Sequence, residues 1–134
     1  MMIFGLDTNV VLRMLIDDDP RHRKLALDFG AGLGRDYTAF LTVYSLLELD
    51  WALRSQYGYD RKQVVAALKK LLRTRGLTVD EQPVVQRALT LVETENADLA
   101  DALIAAKSKD HGCVSTKTFD AKAARKVPEM ELLA

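Results

Sequence analysis

The sequence predicts an α/β protein: a mainly parallel sheet with helices on both faces. Two observations predict it. Short apolar runs alternate with longer segments of helical period. Two acids, Asp7 and Asp120, fall at or just past the end of such a run, where open α/β sheets place reactive groups. Composition agrees. The chain of 134 residues, 49% hydrophobic and 28% charged, is expected to form one domain over 1–134 with a real core.

The first strand is expected over Met2–Asp7, an apolar run that Asp7 closes. Helices follow over Val10–Ile16 and Pro20–Gly30, separated by Asp17-Asp18-Asp19. Asp19 is a capping type and Pro20 suits the first helical position. Tyr37–Thr42 reads as the second strand, and Val43–Tyr57 as a helix ended near Gly58. Within it, Asp50 is expected at the surface and Trp51 in the core. Arg61–Thr74 carries the clearest amphipathic pattern, with Val64, Val65, Leu68, Leu71 and Leu72 at helical spacing. Asp60 caps its start and Gly76 follows its end. Leu77–Val79 is the third strand, Pro83–Glu95 a helix, and Leu99–Asp110 another, ending at His111-Gly112. Cys113–Ser115 is the fourth strand, Ala121–Arg125 a short helix, and Met130–Leu133 an edge strand.

Several function classes fall away. Lys+Arg and Asp+Glu both total 19, so no global basic field marks a nucleic-acid coating protein. Cys113 is the only cysteine, which excludes an internal disulfide and a thiolate zinc cluster. It is expected to fill core, and a reducing, cytoplasmic setting fits. No basic leader precedes the opening run, and no stretch reaches the roughly 20 apolar residues of a membrane span. His22 lies in the basic patch Arg21-His22-Arg23-Lys24 and His111 at a helix end. Neither has a triad or zinc partner nearby, and no glycine-rich phosphate loop is present.

Four acids stand at marked places. Asp7 ends a strand expected to be buried. Thr8 and Asn9, both capping types, are expected to cap the next helix and to steady its carboxylate. Glu48 interrupts the apolar stretch Val43–Leu49. Asp101 lies in the first turn of a small-residue helix, three residues after the capping candidate Asp98. Asp120 follows Thr118-Phe119, and Thr118 can hydrogen-bond a carboxylate or water. Plainer readings exist: Asp7 and Asp120 as caps, Glu48 as an exposed helix residue, and Asp101 as a charge favoured at a helix start; capping is the main role expected of Asp98. Taken together they form a carboxylate pool without histidine or thiolate, which suits hard cations such as Mg²⁺ or Mn²⁺. Basic residues from Lys107 to Lys126 bracket Asp120. They read as a solvated face or as a guide for a phosphate backbone.

These motifs, in this order, resemble the PIN-domain ribonucleases. Leu6-Asp7-Thr8-Asn9-Val10-Val11-Leu12-Arg13 with Asp18-Asp19-Pro20 resembles the VapC-type toxins of type II toxin–antitoxin pairs. The resemblance covers nearly the whole chain. It implies a three-layer α/β/α sandwich with a central parallel sheet of about five strands. It implies an endoribonuclease that uses Mg²⁺ or Mn²⁺ and arrests growth by cleaving cellular RNA. Asp7, Glu48, Asp101 and Asp120 match the family's catalytic, metal-binding quartet, and Thr8, Asn9, Asp98 and Thr118 match supporting positions. The implied partners are RNA, a second copy of the chain, and a small VapB-like antitoxin through which operator DNA is bound; no membrane is implied.

Two rival readings remain at this level. One is a phosphatase or phosphotransferase with Asp7 as nucleophile, for which Asn9 stands where a second Asp is wanted. The other is a catalytically silent binding module, against which the intact quartet counts.

Overall fold

The computed structural model describes residues 1–133. It comprises two compact units, one formed by Met1–Tyr59 with Ala66–Asp80, the other by Asp60–Val65 with the chain from Glu81 onward.

In the first unit β1 (Ile3–Gly5), β2 (Thr38–Leu41) and β3 (Leu77–Val79) form a parallel ladder in the order β1-β2-β3. Ala39 of β2 is opposite Phe4 on one side and Leu77 on the other. The crossovers are helical, as parallel pairing requires: α1 (Thr8–Leu15) and α2 (Pro20–Ala31), then α3 (Val43–Tyr57) and α4 (Arg61–Leu72). Helix α4 is divided between the units after Val65. Val11, Leu41, Leu46, Leu49, Leu53 and Leu68 are the largest fully buried side chains here.

Local chemistry sets the boundaries. The Asp19 carboxylate accepts from the His22 N–H, with Pro20 leading α2. Thr42 caps α3 by accepting from the Ser45 N–H, and left-handed Gly58 (φ 68°) ends it. Asp60 and Gln63 form a reciprocal capping box before α4, at 2.8 and 2.9 Å. Gly76 (φ 77°) leads into β3 where a Cβ would lie 2.2 Å from the Gly34 nitrogen, so two backbones meet at a distance only glycine permits.

The second unit holds α5 (Gln82–Glu95), α6 (Leu99–Asp110), β4 (Thr116–Thr118), α7 (Ala121–Lys126) and β5 (Met130–Leu132). Helices α5 and α6 pack together, and β4 pairs parallel with β5. Alanines make the packing close: Ala97, Ala105 and Ala123 gather with Val127 and Met130 in one buried cluster. The chain thus has the expected α/β character, with five parallel strands among the described residues, in two ladders, one within each unit.

Several sequence expectations need correction. Strand β1 is exposed, with Ile3 at 70%; among the described residues it is an edge of its ladder, paired with β2. The fourth strand is Thr116–Thr118, not Cys113–Ser115. Its register is set by its partner, Thr116 opposite Met130. Cys113 instead lies in the exposed turn after left-handed Gly112, with its N–H bonded to the Ser108 carbonyl, so it fills no core.

On α3, Asp50 is buried and Trp51 is 59% exposed, the reverse of the expectation. Arg54, four residues on, places Nε and Nη2 at 3.0 and 2.9 Å from the two Asp50 oxygens. That fork satisfies the carboxylate and lets it turn inward. Trp51, one residue and about 100° further round the helix, then faces out. Asp50→Asn should therefore lower unfolding free energy by about 1.5–3 kcal/mol, the worth of hydrogen bonds to a charged group. Trp51→Ala should cost less, as measured by urea denaturation. The opposite ranking would contradict this orientation of α3.

Candidate functional site

Asp7 occupies the N-cap position of α1 in extended backbone, yet its side chain makes no capping hydrogen bond. Its carboxylate is not used as a cap. Since Asp7 fills that position, Thr8 becomes the first helical residue rather than the cap. The Thr8 hydroxyl donates to Glu48 Oε1 at 2.8 Å, from α1 to α3. Thr8 therefore steadies Glu48, not Asp7 as the sequence suggested. Asp7, Thr8, Asn9, Glu48 and Trp51 line one open cavity of about 400 Å³.

In the second unit, Asp98 caps α6: its Oδ2 accepts from the Asp101 N–H at 3.2 Å. Asp101 is thereby fixed in the first turn. Asp120 caps α7, its Oδ1 accepting from the N–H groups of Lys122 (2.9 Å) and Ala123 (3.1 Å). Both bonds use one oxygen, so the other takes no part in the cap. Thr118 accepts the Asp120 N–H on its hydroxyl at 3.0 Å; it holds the backbone of Asp120 rather than a carboxylate.

Asp98, Asp101 and Asp120 line a cavity of about 360 Å³ together with Arg61, Lys122 and Lys126. Arg61 Nη1 and Lys126 Nζ both donate to the Asn96 carbonyl, at 2.9 and 3.2 Å. Asn96 is a left-handed residue (φ 56°) closing α5, which turns its carbonyl into this shared acceptor. The sequence flagged Lys122 and Lys126 within the basic run near Asp120. It gave no sign of Arg61, which reaches the cavity from the start of α4.

The charges strain one another. Partial burial, then the like charges of Asp98 and Asp120, push the Asp101 carboxyl above its usual range, against a smaller opposing pull from Arg61. A helix start favours a carboxylate, so burial and repulsion here outweigh the helix. Lys126 is pushed below its usual range, first by desolvation and then by Lys122, Arg61 and Arg125.

The sequence-derived acids thus form two groups: Asp7 with Glu48 in the first unit, and Asp98, Asp101 and Asp120 in the second. Among the described residues, within neither unit do three acidic, histidine or cysteine side chains draw together as a metal cage. The acids on offer are nonetheless all oxygen donors, and Asp101 is repelled by Asp98 and Asp120, which a cation would relieve. That donor chemistry fits Mg²⁺ or Mn²⁺. Neither histidine lines these two cavities.

The Asp101 shift predicts a pH dependence. Between the usual carboxylate value and the raised one, the folded chain holds more protons than the unfolded chain. Stability therefore falls as pH rises through that window and stays lowered above it. Without metal, Asp101→Asn should melt at a higher temperature than wild type near neutral pH, and the difference should shrink as pH falls. A lower melting temperature at neutral pH would mark Asp101 as a purely structural residue.

The family model described as PIN domain matches residues 5–129. No curated protein matches the chain. Among solved structures, the chain is similar to VapBC2 from Rickettsia felis bound to a DNA fragment from its promoter. That match has 18% identity and a TM-score of 0.42, and covers 98% of each chain. A toxin–antitoxin complex from Klebsiella pneumoniae is similar at 18% identity and a TM-score of 0.34, over 98% of this chain and 96% of that one. Both likenesses are distant. Among the described residues, no helix is long and apolar enough to cross a membrane.

Proposed function

This chain belongs to the PIN-domain family, and from that premise we propose that it is a metal-dependent endoribonuclease, the toxin of a toxin–antitoxin pair. The observation that carries the reading is the mixed cavity of the second unit. Asp98, Asp101 and Asp120 line it, burial and then the charges of the other two raise Asp101, and three cations share the lining. Such a pairing of signs suits a phosphodiester together with a divalent cation.

The proposed ligands of Mg²⁺ or Mn²⁺ are Asp7 and Glu48 in the first unit and Asp101 and Asp120 in the second. When bound, the cation supplies positive charge for the phosphoryl oxygens and lowers the pKa of water. The chain's own residues do the rest. Thr8 keeps Glu48 in one orientation, and the Thr118 hydroxyl and α7 hold Asp120 in another. Asp98 fixes the backbone of Asp101. Arg61, Lys122 and Lys126 offer charge to the backbone of a nucleic-acid strand. RNA is the proposed substrate, read through single-stranded loops and shape rather than by a base-reading motif.

The toxin assignment rests on the run Leu6–Arg13 and Asp18-Asp19-Pro20, similar to VapC-type toxins. It brings with it a homodimer and a small VapB-like antitoxin that blocks the site and carries the complex to operator DNA. Cytoplasmic action follows from the same reading.

Purified protein should cleave RNA with Mg²⁺ or Mn²⁺ and stop on addition of EDTA. Asp7→Asn should slow cleavage at least roughly 100-fold, since loss of a ligand exceeds loss of an outer partner. The same variant should relieve growth arrest on induction without a partner. Asp36→Asn, on an exposed turn, serves as control and should stay active. Cleavage that survives thorough chelation, or an active Asp7→Asn, would refute the assignment.

A further inference from the structure

Trp51 is the only tryptophan of the chain, and it is 59% exposed. A large aromatic ring in that position loses the burial that normally stabilises it. Its place is specific. It stands one helical turn after Glu48 on α3 and lines the same open cavity as Asp7, Thr8 and Glu48. Asp50, next to it, is buried and held by Arg54, which leaves Trp51 on the outward side of α3. Asp7 and Asn9 line the cavity too, so it joins an aromatic face to carboxylates.

We propose that Trp51 is a stacking platform for a nucleobase of single-stranded RNA, next to the phosphodiester that the Asp7–Glu48 group serves. The inference rests on the ribonuclease reading and adds to it a substrate-binding residue. Every base offers a π-face, so stacking of this kind holds a strand without reading its sequence. It also explains how a chain with no net basic charge keeps hold of RNA: part of the affinity is apolar and insensitive to salt, unlike phosphate contacts.

The sole tryptophan is its own reporter. A short single-stranded oligoribonucleotide, added to Asp101→Asn protein so that it is not cleaved, should quench the emission saturably. An oligomer of the same length lacking bases should not. In the otherwise wild-type chain, Trp51→Ala should raise KM for RNA about tenfold, within the range of one lost base–aromatic stack, and leave kcat within about twofold. Trp51→Phe should restore most of the affinity.

Binding of a labelled oligomer, seen by anisotropy, without quenching would overturn the proposal and leave the nuclease reading intact. So would an unchanged KM in Trp51→Ala. Emission that shifts to the blue with protein concentration, with self-association lost in Trp51→Ala, would overturn it in favour of an interface between copies. Absence of both binding and cleavage in wild type would remove the nuclease reading, and this proposal with it.

Discussion

Helix starts govern this molecule's acids. Asp7 and Asp98 occupy the N-cap positions of α1 and α6, Asp101 the first turn of α6, and Asp120 the N-cap of α7. Glu48 lies within α3 but is tied to the first residue of α1 through Thr8. Unpaired N–H groups at these ends give Asp98 and Asp120 hydrogen bonds and offer all four of these aspartates a favourable field. The arrangement has a limit, and Asp101 shows it. Partial burial and two neighbouring carboxylates raise its pKa despite the helix start. The backbone can fix carboxylates in place but cannot neutralise them, and that residual charge is what a divalent cation would answer.

The remaining features of the two units follow from keeping those helix starts fixed. In the first unit α1 packs on α3, which sets Thr8 against Glu48. In the second, alanines let α5 and α6 approach closely, and the cluster around Ala105, Ala123 and Val127 holds α7 beneath the same cavity. The left-handed Asn96 between α5 and Asp98 gathers Arg61 and Lys126 on one carbonyl. One short connection therefore brings cations to the rim of an acidic cavity.

Much of this was legible in the sequence, and what was legible was local. Asp19, Asp60, Asp98 and Asp120 announce their caps because the chemistry of a helix start lies within three or four residues. The amphipathic pattern of Arg61–Leu72 and the close of α3 at Gly58 are local for the same reason. What depended on distant partners was not legible. The register of β4 comes from β5, so the threonines rather than Cys113-Val114-Ser115 form the strand. The rotation of α3 depends on Asp50 being satisfied by Arg54, and hydrophobicity alone assigns Trp51 inward instead. The spacing of Asp50 and Arg54, four residues apart, was the available signal. The roles of Thr8 and Arg61 likewise arise only when other elements arrive beside them.

Calorimetric titration with Mn²⁺ tests most directly whether these fixed carboxylates serve a divalent cation. Wild-type protein should bind saturably at neutral pH, and more weakly as pH falls and Asp101 protonates. Asp7→Asn and Asp101→Asn should each weaken binding about tenfold or more, as loss of a ligand does, while Asp36→Asn should bind as wild type does. Binding that is absent in wild type, or equal in all four proteins, would contradict the account.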